Sequence, residues 1–233
     1  MKIDNLKLMS GVPIYIEELG FSINQPKIKD IALLGETQFY QSLSYFLISK
    51  DKLNIDVEIS DFDLFMYFIN QEQSIQKSIA DIFTLIIDGI DSIKFYDTFI
   101  IVNAFGHECI IDEPKFLIIK ESLIQIFCLQ SQVTGDLNPA NKKAREIAEK
   151  LRKRKERLAG AESQKNSDIF SHLISTLTIG TNNLSIEDCL GLTIYQIHNL
   201  IKRYTLYEQY NMQIQALLQG AKDIELVEWT KQF

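Results

Sequence analysis

The chain has 233 residues, 46% hydrophobic and 24% charged, with only 4 Pro and 10 Gly. That composition fits one large or two small globular domains and excludes a low-complexity or disordered chain. The formal net charge is -7, and no window reaches the ~18 uncharged apolar residues of a membrane span, so no membrane association is expected.

The first twenty residues are broken by Asp4, Glu17 and Glu18. They lack the apolar core of a secretory leader, so a cytoplasmic protein is expected. Cys109, Cys128 and Cys189 are scattered. They form neither a disulfide framework nor a paired metal motif, and are read as buried small hydrophobes.

In chain order, residues 12–23, "VPIYIEELGFSI", predict a short strand, a turn at Gly20 and a second strand. Pro26 is placed in the first turn of a following helix, because its missing N–H would be unpaired there. Ile28, Ile31 and Ala32 continue a helical period, and Gly35 stops or breaks it. Phe39, Leu43, Phe46 and Leu47 recur at i, i+4, i+7 and i+8, which predicts a second amphipathic helix. Residues 61–69, "DFDLFMYFI", are apolar enough for a buried helix that starts near Asp61. Ile75, Ile79, Ile82, Phe83 and Ile86 lie on one face of a helix over 74–87.

The pattern then turns β-branched and aromatic. "SIKFYDTFIIVN" and "HECII" flank "AFG", which reads as a hairpin with Gly106 in its turn. Asp112 is the expected N-cap of a helix with Pro114 in its first turn, running to about Leu129. Residues 130–139 are rich in breakers and form the expected domain boundary. A further helix is read over 168–179. "SIED" (185–188) and "TIYQ" (193–196) have capping-box spacing. From Ile194 the stripe Ile197, Leu200, Ile201, Tyr204, Tyr207, Ile214, Leu217, Leu218 predicts a long helix ending at Gly220.

The fold class that follows is mainly α (α+β). An N-terminal α+β domain with a small β-hairpin or sheet spans 1–132. A linker with a basic helix spans 133–165, and a C-terminal helical domain spans 166–233.

Little in the sequence assembles chemistry. His107 and Cys109 would share one side of a strand, but no second ligand pair lies at metal spacing. His172 and His198 sit on polar-to-apolar helix borders and read as half-buried packing residues. No GxSxG, HExxH or phosphate-cradling glycine loop is present. Asp88 and Asp91 mark a turn, since no loop of alternating oxygen ligands follows. A non-enzymatic protein without cofactor or metal is the expectation.

The most uneven feature is residues 138–160, "NPANKKAREIAEKLRKRKERLAG". Between Lys142 and Arg157 lie nine of the 24 basic residues and three of the 31 acidic ones, which leaves the remainder at -13. Its apolar stripe of Ala144, Ile147, Ala148, Leu151 and Leu158 is too narrow to be wrapped by a core. Cations at its C-terminal end suit the helix dipole. Nine cations would make a phosphate footprint, but the acidic remainder would repel a duplex. The stretch also lacks interleaved side chains to read or stack on bases, so nucleic acid is disfavoured. A connector that offers Arg152, Lys153 and Arg154 to an acidic partner is the preferred reading. In the C-terminal "ELVEWTKQF", Leu226, Trp229 and Phe233 stand at i, i+3 and i+7. They read either as a last turn docked on its own domain or as an anchor for a partner.

Three pieces together, "NQPKIKDIALLGETQFYQSLSYF" (24–46), the basic stretch at 138–160 and "GAKDIELVEWTKQF" (220–233), resemble the tail assembly chaperones of tailed phages and prophages. They cover 60 of the 233 residues. The resemblance implies a binder of the tape measure protein and/or the tail tube protein, acting in the host bacterial cytoplasm during tail polymerisation. Self-association is compatible with it. Many such chaperones are shorter than this chain. Two alternatives remain: a minor tail or baseplate component of the virion, or a nucleic-acid-associated protein that uses the basic helix. Aromatic-rich faces at Phe39, Tyr40, Tyr45 and Phe46, and at Phe62, Phe65, Tyr67 and Phe68, are read mostly as core and partly as a groove for the apolar stripes of a helical partner.

Overall fold

The computed structural model describes residues 2–48, 59–129, 168–181, 183–220 and 226–230. The expected division at 133–165 and the whole basic helix, Arg152, Lys153 and Arg154 included, lie outside these residues. The described elements are mainly helical with two small antiparallel sheets, as the composition and periodicity predict.

The chain opens with a short helix that the sequence reading missed, α1 (Asn5–Ser10). Asp4 caps it, accepting from Leu6 N at 2.7 Å and Lys7 N at 3.3 Å. Strands β1 (Ile14–Ile16) and β2 (Phe21–Ile23) pair antiparallel around the turn that ends at Gly20, as expected. Helix α2 (Ile28–Leu34) follows, with Lys27 as N-cap. Pro26 therefore precedes the helix instead of sitting in its first turn. Here Lys27 forms an isolated bridge to Thr193, and Ile28 N donates to Leu192 O at 2.9 Å, so a tertiary contact sets the helix start. Ile28 and Ile31 are buried, while Ala32 is exposed and does not continue the stripe.

Gly35 separates α2 from α3 (Glu36–Phe46). The next helices are α4 (Asp61–Gln71), capped by Ser60, and α5 (Gln73–Ile86). All five apolar positions predicted on one face of α5 are buried.

The expected two-stranded hairpin is a three-stranded sheet. "SIKFYDTFIIVN" holds most of two strands, β3 (Ile90–Phe95) and β4 (Ile100–Ala104), and β5 (His107–Ile111) completes the order β3-β4-β5. The missed turn is closed by Tyr96 N donating to Phe99 O at 3.0 Å, without the glycine that marks the second turn. Phe105 and Gly106, with φ of 53° and 74°, form that second turn. Two successive residues at positive φ match the twist of a tight hairpin. Helix α6 (Glu113–Ile126) begins as predicted, with Asp112 accepting from Lys115 N at 3.2 Å and Pro114 in the first turn. It ends at Ile126, short of Leu129, and Cys128 takes a φ of 51° just beyond.

The last third holds α7 (Ile169–Thr181), α8 (Ile186–Leu190) and α9 (Ile194–Leu218). Both capping boxes are formed, Ser185 with Asp188 and Thr193 with Gln196.

One buried cluster holds these elements together. Phe116 is its aromatic hub, with ring centroids 4.5 Å from Phe65, 5.4 Å from Phe62 and 6.4 Å from Phe46. Phe39 meets Phe127 edge-on at 5.1 Å. Phe170, Ile174, Leu177, Cys189, Ile194 and Ile197 from the last third belong to the same cluster. Polar bonds cross as well: Phe170 N donates to Glu36 Oε1 at 3.1 Å, and Gln196 Nε2 to Met9 O at 2.7 Å. The aromatic faces read as part groove resolve into core: Phe39, Phe46, Phe62 and Phe65 are buried, Tyr40, Tyr45 and Phe68 half-buried, and only Tyr67 is exposed.

Candidate partner-binding surfaces

Two surfaces stand out, and both involve α9. Its first turns are fixed by Ile194 and Ile197, the only residues of the helix that are buried. Leu200 and Ile201 still pack against the core from its edge. Further along, Tyr207, Met212 and Leu218 are 43%, 60% and 83% exposed. At about 1.5 Å per residue the helix is roughly 37 Å long, and past Ile197 none of its residues is buried.

The first surface is a cleft of about 830 Å³ between α1, the end of α6 and the first half of α9. Its apolar wall comes from Ile3, Leu8, Ile124, Leu129, Tyr195 and Ile201. Its polar lining includes Asn5, Gln125 and Asn199, with Lys2, His198 and Lys202 as the basic groups. Gln125 is also structural here, its Oε1 accepting from Ile3 N at 2.8 Å. Asp4 and Gln25 build this cleft indirectly. Asp4 caps α1, and Gln25 Nε2 donates to both Lys7 O and Val12 O at 2.8 Å, holding the end of α1 in place.

Burial pushes the Cys128 thiol up to about 11, so at neutral pH it is a neutral wall of the cleft. Burial, and secondly the nearby Cys128, raises the Tyr195 phenol above its ordinary value. Loss of hydration beside the wall holds His198 below the ordinary histidine range. The ammonium groups of the cleft are those of Lys2 and Lys202. A cleft with an apolar wall and ammonium groups suits an amphipathic segment that carries acidic residues.

The second surface is distal α9 with the C-terminal segment laid against it. Trp229 meets Tyr207 edge-on at 5.2 Å, Arg203 Nη1 donates to Trp229 O at 2.8 Å, and Val227 N donates to Gln213 Oε1 at 2.7 Å. Of the residues singled out in the sequence, this brings Trp229 to α9, with Leu226 in the same segment. Trp229 docks on its own chain and stays 37% exposed, and Leu226 stays 42% exposed. Phe233, like Arg152, Lys153 and Arg154, lies outside the described residues.

The remaining candidates separate. Cys109 and Cys189 are buried, as expected, and Cys128 is half-buried. His107 is exposed while Cys109 is buried two residues along β5, so the pair does not converge. His172 is exposed at the surface instead of half-buried, whereas His198 keeps solvent access with its imidazole in the cleft lining, where burial removes part of its hydration. Among the described residues no group of three His, Cys, Asp or Glu could hold a metal ion. No described helix is long and apolar enough to cross a membrane.

The cleft was missed because α1 was missed. Its only signals are Asp4 as cap and Gly11 as stop around six residues, too few for a period to show.

Residues 163–233 match the family described as the YomV second domain, a match that points to a phage-derived family. The matched segment holds α7, α8, α9 and the C-terminal segment, and so contributes one wall of the cleft and all of the second surface. No curated protein and no solved structure matches the chain.

Proposed function

We propose that the protein is a non-enzymatic binding protein of a phage tail morphogenesis module. It acts as an assembly chaperone for the tape measure protein and/or the tail tube protein in the bacterial cytoplasm. The cleft between α1, α6 and α9 carries this reading. Its mixed apolar and ammonium lining suits an apolar helical stripe flanked by carboxylates, and a long helical tape measure would offer it apolar stripes. The family match over the last third and the sequence resemblance both support a phage setting.

Co-expression with the neighbouring reading frames, followed by affinity capture, tests the proposal. Asn199→Trp adds an indole to the cleft wall at a position that is half-exposed, so the fold should tolerate it. Capture of a tape measure or tube protein by the native chain, with loss in the Asn199→Trp variant, supports the reading. Retained capture rules out the cleft. Mass spectrometry of purified particles separates the chaperone, which should be absent, from a minor tail component, which should be present at fixed stoichiometry.

A further inference from the structure

The distal half of α9 has a second pattern, independent of the cleft. Counted in heptads, Tyr204, Asn211 and Leu218 occupy the a positions, and Leu200, Tyr207 and Ile214 the d positions. The residues between Arg203 and Leu218 include a single charge, Glu208, so these helical turns carry just Arg203 and Glu208. Arg203 is then a g position and Glu208 the e position of the next heptad. In a parallel two-stranded coiled coil each g residue faces the following e residue of the other strand, so the two opposite charges meet twice across a twofold axis. A single Asn among apolar a positions fixes register and strand number in such pairs.

The structure leaves part of this seam accessible: Asn211 and Ile214 are half-buried, and Tyr204 lies against Gly180 of α7 and is not available to a partner. Tyr207 and Leu218 are 43% and 83% exposed, and among the described residues no hydrophobic side chain of α9 past Ile201 packs against the core cluster. With roughly 100° per residue, Ile194, Ile197 and Ile201 point about 100° around the helix from the seam of Tyr207, Asn211, Ile214 and Leu218. The described core residues of this helix therefore lie to one side of the seam formed by Tyr207, Asn211, Ile214 and Leu218. Of the C-terminal segment, the described residues 226–230 run along the flank of Arg203 and Gln213, and Trp229 meets Tyr207 of the seam. It holds the Arg203 side chain on that flank, through the Trp229 carbonyl, where a second copy would present Glu208.

We propose that this face binds a second copy of the chain: two α9 helices pair in parallel and in register through Tyr207, Asn211, Ile214 and Leu218, with Arg203 of each facing Glu208 of the other. The occupant is the chain itself because the two charges complement each other under twofold symmetry, and because Asn211 meets its own symmetry mate.

Sedimentation of the full chain tests the pairing, and crosslinking tests its geometry. The expected mass is twice the 26.9 kDa of one chain. Glu208→Arg sets like charges across the seam and should return the mass to that of a monomer. The double variant Arg203→Glu/Glu208→Arg should restore the dimer, because the pair is only reversed. Asn211→Cys should form a disulfide between copies under mild oxidation. Met212→Cys, one residue round on the outer face, should not. A native chain that stays monomeric overturns the proposal. So does a dimer insensitive to Glu208→Arg, or one in which Met212→Cys crosslinks as readily as Asn211→Cys. Leu218→Lys, at a site already 83% exposed, should remove the dimer without affecting the circular dichroism of the monomer. A dimer that survives it also overturns the proposal.

Discussion

Gly180, one residue before the end of α7, lies directly beneath Tyr204 of α9. A Cβ built there would lie 2.4 Å from Tyr204 Cζ, 2.6 Å from its Oη and 2.8 Å from its Cε1. Carbon atoms sit comfortably at ~3.5–4.0 Å, so the ring would have to retreat by about 1 Å. Gly180 is not among the glycines with positive φ. The backbone therefore accepts alanine, and helix propensity alone would make Gly180→Ala stabilising by up to ~1 kcal/mol. Overpacking opposes this by ~1–3 kcal/mol, and because the ring is wedged between two helices the second effect should win. Gly180→Ala should thus destabilise the protein by about 1 kcal/mol. Tyr204→Leu removes all three crowding atoms. In that background the same substitution should change sign and stabilise by up to about 1 kcal/mol, a coupling of about 2 kcal/mol. Urea denaturation followed by far-ultraviolet circular dichroism of the four proteins in this cycle provides the measurement. Stabilisation by Gly180→Ala in the native background, or a coupling near zero, would refute the close approach of α7 to α9.

Phe116→Ala removes the hub of the aromatic cluster and should cost ~3–5 kcal/mol, read as a lowered urea midpoint. Thr193→Ala loses the side-chain cap of α9, while the backbone bridge to Lys27 remains, and should cost ~1–2 kcal/mol in the same assay. For the alkaline limb, Cys128 is raised to about 11 and Tyr40 to about 12, the latter by burial first and the Glu36 charge second. Raised acid pKa values mean that the folded state keeps protons the unfolded chain has released. Their contribution is therefore full at neutral pH. It should fall from about pH 9 towards 11 for Cys128, and from about pH 10 towards 12 for Tyr40. Urea midpoints measured across this range should decline, and Cys128→Ser should lessen the earlier part of the decline, to which the buried thiols of Cys109 and Cys189, also raised by burial, contribute the rest. For His198 the sign is opposite. Its lowered pKa should cost stability as pH falls below the ordinary histidine value, and His198→Gln should flatten that slope.

How much of this could be read in advance depended on how local each signal was. The four isoleucines and one phenylalanine on one face of α5, the caps at Asp112, Ser185 and Thr193, and the turn at Gly106 are all decided within a few residues. Each formed as expected. Pro26 did not, because the start of α2 is decided by Leu192 and Thr193, more than 160 residues away. The β3–β4 turn was hidden by an unbroken run of strand-forming residues from Ser92 to Asn103. Its four turn residues include neither Gly nor Asn, and Asp97 was the only hint. The stripe along α9 was correctly seen as apolar, but a stripe does not reveal what it will face. In this helix the first part faces the core and the second does not. The cleft depended on a six-residue helix and on Gln25 and Gln196 reaching across the chain, which no periodicity reports.

Trp229 is the chain's single tryptophan, among nine tyrosines, and it rests 5.2 Å from Tyr207. Light absorbed by that tyrosine will drain to the indole while the two rings touch. Any event that lifts the segment should brighten tyrosine emission and shift the indole band, with no dye attached. The molecule carries its own optical gauge at the place where a companion would arrive.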